Sequence, residues 1–262
     1  MKSDVVLYDD AWSVEIYDFL SRDNQRDVPL WLDLAARGDG PVLELACGSL
    51  RALLPIARAG YRVVGLDLSP HMLKRAREKV AQESAEVQAR VRLVEGSMAD
   101  ADLGEQFSLI YITARSFQAL LTRAEQRRCL EACARHLRPG GYLGLDVFNT
   151  NLSMLVQPGG VDEKPAEYLG PGGETIRETG HSDYDLTTQT LRWRSRQEWS
   201  DACGAPQVRE YVCDLHYFFR FEFEWMLEAC GFEVEALYGG FERGEYTAES
   251  GEMVFVGRRS HG

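Results

Sequence analysis

The sequence is most informative first in what it lacks. Its six cysteines include no CxxC pair, and its five histidines are scattered without the spacing of a metal site. A disulfide framework and a bound metal are therefore not expected. Nowhere do about 18 apolar residues follow one another, so no membrane span is expected, and Met1-Lys2-Ser3-Asp4 leads into no apolar run of signal-peptide type. The chain reads as cytoplasmic. Basic residues are outnumbered 29 to 41, for a formal charge of −12. Such a surface repels phosphate backbones and anionic lipid, so neither nucleic acid nor a membrane is an expected partner. A small neutral or cationic substrate suits it better, with the protein a monomer or homodimer.

The 262 residues suffice for one large α/β domain with an insertion. Residues 1–40 read as a helical cap rich in aromatics, ended by Gly38-Asp39-Gly40. Strand and helix patterns then alternate. Pro41–Ala46 reads as a strand and Leu50–Ala59 as a helix that Pro55 should kink. Tyr61–Leu66 is a second strand, and Ser69-Pro70 opens a helix to about Val87 with serine as cap and proline in the first turn. Val91–Glu95, Ser108–Ile112 and Tyr142–Phe148 are further strands, with a helix between the last two opened by a Thr122/Glu125 capping box. This rhythm predicts a doubly wound, seven-stranded, mostly parallel sheet with its ligand at the C-terminal ends of the strands.

Residues from about 151 to 220 break the rhythm. Gln157-Pro158-Gly159-Gly160 and Gly170-Pro171-Gly172-Gly173 are loop chemistry, followed by alternating stretches at about 174–184, 189–199 and 207–219. These predict an antiparallel β-meander with one wet face, an insertion that acts as a lid. A helix from about Phe221 to Cys230 and strands at Glu233–Tyr238 and Glu252–Gly257 complete the sheet.

The stretch Val42-Leu43-Glu44-Leu45-Ala46-Cys47-Gly48-Ser49 carries chemistry. A strand entering a glycine turn and then a helix brings backbone N–H groups up to a ligand. Asp67 ends the next strand, 19 residues beyond Gly48, where a carboxylate can accept hydrogen bonds from both hydroxyls of a ribose. Turn and acid together point to a nucleoside site. Gly48-Ser49-Leu50-Arg51-Ala52-Leu53 lacks GxGxxG, which speaks against a nicotinamide dehydrogenase.

With these residues in view, the chain resembles the class I S-adenosylmethionine-dependent methyltransferases of small molecules. The likeness lies in Leu43-Glu44-Leu45-Ala46-Cys47-Gly48, Gly65-Leu66-Asp67-Leu68-Ser69-Pro70-His71-Met72-Leu73, Leu137-Arg138-Pro139-Gly140-Gly141 and Leu145-Asp146-Val147-Phe148-Asn149. It is clearest over about 40–150 and returns at Ala229-Cys230-Gly231-Phe232. It implies S-adenosyl-L-methionine as cofactor and roles at the matching positions. Gly48 and Ala46 would lie against the methionine moiety, Glu44 near its ammonium and Asp67 on the ribose. Leu68, Met72, Ser97 and Met98 would surround the adenine, with core packing an open alternative for Leu68, Met72 and Met98. Ala114 and Arg115 would line the sulfonium end, with Ser116 and Phe117 toward the substrate.

Methyl transfer is an in-line displacement that needs positioning and exclusion of water more than acid–base groups. Candidate acceptor-site residues are therefore lid aromatics and polar groups: Tyr8, Trp12, Tyr17, His181 and Tyr217, with Asn149 and Tyr184 closest to the chemistry. Packing is an alternative for each. Leucine at position 50 departs from the family's second glycine. It leaves two other outcomes open: a cyclase that releases methylthioadenosine and a small-ring amino acid, and a non-catalytic S-adenosylmethionine-binding protein.

Overall fold

A computed structural model describes residues 5, 6, 8 and 10–260. The start of the sequence and part of the expected cap (residues 1–4, 7 and 9) lie outside the described residues. Among those described, no helix is long and apolar enough to cross a membrane.

The apolar runs become strands covered on both faces. Seven form one sheet in the order Phe232–Tyr238, Glu252–Arg259, Leu137–Phe148, Phe107–Ile112, Val42–Leu45, Val63–Asp67, Val91–Glu95. Pairing is parallel from Leu137–Phe148 to Val91–Glu95, and Glu252–Arg259 runs antiparallel to both its neighbours. Every residue of Val42–Leu45 and Phe107–Ile112 is buried, which is why those segments read as unbroken apolar runs. One apolar cluster contains Leu43, Phe117, Phe223 and Phe255, and a second contains Trp31, Val42, Leu53 and Tyr111. Trp31 fixes the second tightly. A Cβ on Gly144 would lie 2.4 Å from its ring, so only glycine admits the helix Val28–Ala36 at this distance.

Local capping chemistry sets the helix starts. The Ser69 hydroxyl accepts from Met72 N at 3.2 Å and opens Pro70–Val80, while Thr122 and Glu125 form the reciprocal box that opens Arg123–His136. Two expectations are corrected. The helix after the glycine turn runs over Leu53–Arg58, not Leu50–Ala59, so Pro55 falls in its first turn, where a missing N–H removes no helical bond. Val5–Val6 are not helical but form a short strand parallel to Tyr211–Val212, beside the helix Ala11–Ser21.

The meander strands are Thr175–Asp185, Thr190–Ser200 and Pro206–His216, joined in a second sheet by Val5–Val6, Val161–Asp162 and Ala166–Leu169. The third stops before Tyr217, short of the expected 219, because the chain there turns into the helix Arg220–Ala229. The period-two pattern separates the faces. Outward, Arg192 pairs with Asp214 and Arg196 with Glu210. Inward, Ser195, Gln197 and Tyr211 are buried.

Candidate active site

The strand Val42–Leu45 delivers the chain to a turn in which Ala46, Gly48 and Leu50 all have positive φ (57°, 52° and 67°). At Gly48 a Cβ would come 3.7 Å from Met72 Sδ and 4.0 Å from Tyr17, so the turn's backbone lies bare between those side chains. Leu50 takes the left-handed backbone that glycine takes most readily. Its side chain, however, is 1% exposed and packs into the cluster with Val42, Leu53 and Leu73. Burial there offsets the backbone strain, and the side chain faces the core beneath the turn.

Asp67 ends the neighbouring strand and closes the turn. Its carboxylate accepts from Gly48 N at 2.7 Å and from Ser69 N at 2.8 Å. Burial pushes its pKa up, opposed by those N–H groups and by Leu68 N–H. Leu68, next in line, is 70% exposed, unusual for a leucine beside a concave ligand edge. Met72 is buried at 3% exposure, and Met98 packs against the core. Ser97 caps a short 3-10 turn by accepting from Ala99 N.

Beyond the turn, a cavity of about 230 Å³ lies at the strand tips. Tyr17, Arg26, Arg51, Ala114, Arg115 and Asp146 are among its walls. Asp27, also in its wall, is 1% exposed and holds three side chains together. It accepts from Arg51 at 2.5 and 2.7 Å, from Thr113 Oγ1 at 2.8 Å and from Trp31 Nε1 at 3.1 Å. Burial alone would raise its pKa, but the Arg51 guanidinium and the other donors outweigh burial and hold the carboxyl below the ordinary value. Glu252 binds Arg26 and Arg115.

Asp146 stands apart. One carboxylate oxygen accepts from Arg115 N at 3.0 Å, and the other is buried without a partner. Burial, reinforced by the nearby Glu252 charge, pushes its pKa up to about 7. The folded protein thus holds this proton more tightly than the unfolded chain, in which aspartate titrates near about 4. The stability this contributes is complete below about pH 4 and is lost as pH rises through about 7. Asp146→Asn should flatten that part of the profile, read as a smaller fall in Tm between pH 5 and pH 8. Equal falls in variant and wild type would place the titration elsewhere.

Several expected site residues make other contacts. Glu44 is 2% exposed and accepts from Tyr111 Oη at 3.0 Å. Burial pushes its carboxyl well up, and Asp27, Asp146 and Glu252 supply the cavity's acids instead. Phe117 is fully buried between Phe218 and Phe223 rather than facing a substrate. Ser116 Oγ donates to Thr113 O at 2.8 Å. Asn149 is committed to its neighbouring loop: its amide donates to Ala248 O and Ser250 O, and its oxygen accepts from Tyr246. His181 projects from the outward face, between Asp162 and Asp183. Tyr217 is 1% exposed at the base of the meander. Tyr184 is on the inward side, edge-on to Tyr217 and opposite Leu191, which lies eight residues along its strand from Trp199, so it does not join Trp12, Tyr8 and Tyr17. Trp12 stacks on Trp199 with ring centroids 4.5 Å apart, and Tyr8 meets Tyr17 edge-on at 5.2 Å.

The sequence reading overlooked Arg26, Asp27, Arg51, Asp146 and Glu252. Asp146 stood inside a quoted motif and Arg51 directly after the turn, both legible as strand-tip positions. The partners from residues 26, 27 and 252 come from distant segments and leave no local signal.

Comparison with known proteins points the same way. Residues 42–141 match the methyltransferase domain family. The cypemycin N-terminal methyltransferase of a Streptomyces species is 28% identical over 97% of this chain and 98% of its own. These likenesses support a class I S-adenosylmethionine-dependent methyltransferase. A second relative of this class I enzyme is the dTDP-3-amino-3,4,6-trideoxy-alpha-D-glucopyranose N,N-dimethyltransferase of Streptomyces venezuelae. It is 27% identical over 82% of this chain and 81% of its own. The solved structure of an amino pentose methyltransferase from Micromonospora echinaspora, with S-adenosylmethionine bound, superposes with a TM-score of 0.71. It is 26% identical and covers 92% of this chain and 94% of its own. S-adenosylmethionine is the methyltransferase cofactor, and the site suits it: a bare glycine turn, a strand-tip carboxylate, and a cavity holding both acids and guanidinium groups for a zwitterionic tail.

Proposed function

We propose that this enzyme methylates a small-molecule acceptor held between the strand tips and the inward face of the meander, in solution in the cytoplasm. One observation carries the reading. The same N-terminal segment touches both sides of that space: Ser69 Oγ donates to Tyr8 O at 2.9 Å beside Asp67, while Trp12 stacks on Trp199 of the meander. The meander is thereby tied down as a lid over the cofactor site, and closure excludes water. One relative is named as an N-terminal methyltransferase and another as the N,N-dimethyltransferase of an amino sugar, which supports a nitrogen nucleophile.

When bound, S-adenosylmethionine supplies a methyl group activated by the adjacent sulfonium. The protein's part is placement. Asp67 holds the ribose, Leu68 and Met72 flank the adenine, Ala46 and Gly48 present backbone to the methionine, and Ala114 and Arg115 close the sulfonium end. Tyr17 and Tyr8 separate the cofactor from the meander, where Tyr184 reaches the acceptor. The buried side chain of Leu50 removes the crowding on which a ring-closing reaction would depend.

Incubation with S-adenosylmethionine and a panel of primary amines should yield S-adenosylhomocysteine in step with methylated amine. Incubation with S-adenosylmethionine alone should release no methylthioadenosine. Its release would overturn the transferase reading in favour of the cyclase.

A further inference from the structure

The inward face of the meander is unlike an ordinary packed sheet face. Period two places Glu178, Gly180, Ser182 and Tyr184 on one side of their strand, and pairing sets Ser195 between Gly180 and Tyr211, and Gln197 beside Glu178. Glu178 is the polar centre. One of its oxygens accepts from Ser195 Oγ and, at 3.4 Å, from Gln197 Nε2; the other accepts from Tyr168 Oη at 3.0 Å. Among the described residues these donors are all neutral, and Glu178 has no ion-pair partner. Arg209, a base on the same face, is held by Asp10 at 2.9 Å.

A second carboxylate stands close by. The bare Gly180 lets Glu163, an exposed residue, lie over the sheet: a Cβ there would come 2.5 Å from Glu163 Oε2 and 2.9 Å from Trp193 Nε1. Burial pushes the phenols of Tyr8, Tyr168 and Tyr211 up, and the Glu178 charge adds to it at each, after Tyr17 and Cys213 at Tyr8 and after Asp10 at Tyr211. The face also holds unanswered polar atoms. Five buried side-chain atoms lack a partner among the described residues, and three of them, Trp12 Nε1, Gln197 Oε1 and Tyr211 Oη, belong here. Gln197 and Tyr211 are 6% and 1% exposed, so bulk water does not satisfy them. Buried polar groups are ordinarily paired; Gln197 Oε1 and Tyr211 Oη can each accept from a ligand N–H, whereas Trp12 Nε1 can only donate, so a cationic group answers the first two.

Carboxylates without counter-ions, walled by aromatic rings, attract a cation twice over, by charge and by the negative faces of the rings. We propose that this face recognises a positively charged amine on the acceptor, with Glu178 and Glu163 as specificity-determining residues and Tyr168, Trp193 and Tyr211 as its aromatic walls. This rests on the reading of the meander as the acceptor side of a methyltransferase. It adds which chemical group the acceptor presents and which residues read it. A neutral alcohol of the same shape offers no charge to the carboxylates and is discriminated against.

The test uses the full chain saturated with S-adenosylhomocysteine and two matched probes, benzylamine and benzyl alcohol, titrated by NMR. Wild type should bind the amine at least about tenfold more tightly than the alcohol, the worth of one charge-assisted contact. Glu178→Gln and Glu163→Gln should each reduce that preference severalfold, and the double variant should erase it. Asp214→Asn, on the outward face, should preserve it. Affinity for S-adenosylhomocysteine should be unchanged in every variant, which reports an intact fold and cofactor site. A wild type indifferent to charge, or a double variant that keeps the preference, overturns the proposal and leaves the methyltransferase reading standing. Failure to bind S-adenosylhomocysteine at all would instead strike the reading beneath it.

Discussion

Replacing Asp67 by alanine is expected to weaken S-adenosylmethionine binding by at least about tenfold, and by closer to a hundredfold if both ribose hydroxyls are held. Hydrogen bonds to a charged group are worth about 1.5–3 kcal/mol each, and a factor of ten requires about 1.4 kcal/mol. Asp67 also organises the turn itself, since Gly48 N–H and Ser69 N–H both point at its oxygens. Asp67→Asn separates the two roles, because the amide keeps one acceptor oxygen and loses the charge. Calorimetry should therefore rank wild type above Asp67→Asn and Asp67→Ala last. Circular dichroism should show all three folded, because Asp67 lies at a strand tip outside both apolar clusters. Equal affinity for all three would remove the ribose assignment.

Asp67 was legible because its signal is local: an acid ending an apolar strand at a fixed distance from a glycine turn. The sheet and the meander were legible for the same kind of reason. Burial on both faces writes an unbroken apolar run such as Phe107–Ile112, and burial on one face writes an alternation such as Leu191–Arg196. Where function is assembled from distant segments, the sequence carries no such mark. Nothing around Arg26 or Glu252 says that they pair across 226 positions. His181 and Tyr184 looked equally eligible because both sit in one aromatic, polar stretch. An offset of three residues puts them on opposite faces of a strand, and only an assigned inward face chooses between them. Leu50 misled in another way. The backbone at that position does take positive φ, but the direction of the side chain depends on the core beneath the turn.

Asp27 makes the strongest case for an assembled feature. Asp27→Ala should destabilise the fold by about 3–5 kcal/mol, the usual result of removing one partner from a buried ion pair. Arg51, with a side chain 9% exposed, would keep its charge and lose both carboxylate contacts. Its contacts to Asn24 O at 2.8 Å and to the Tyr17 hydroxyl answer only part of the guanidinium. Thr113 Oγ1 and Trp31 Nε1 would lose their acceptor at the same time, adding unsatisfied buried donors. Asp27→Asn should cost less, since it leaves an acceptor for some of these donors, although it still strands the charge. Arg51→Met in the Asp27→Ala background should recover part of the loss, because the uncompensated cation rather than the missing attraction dominates it. Thermal unfolding of the four proteins measures this ordering. An Asp27→Ala variant within about 0.5 kcal/mol of wild type, the range of an ordinary surface substitution, would show that water reaches Arg51 and that the pair is not buried in solution. The same cluster joins the helix Val28–Ala36, the start of the helix after the glycine turn and the tip of Phe107–Ile112. Loosening it should therefore also weaken cofactor binding through the cavity wall, without touching Asp67.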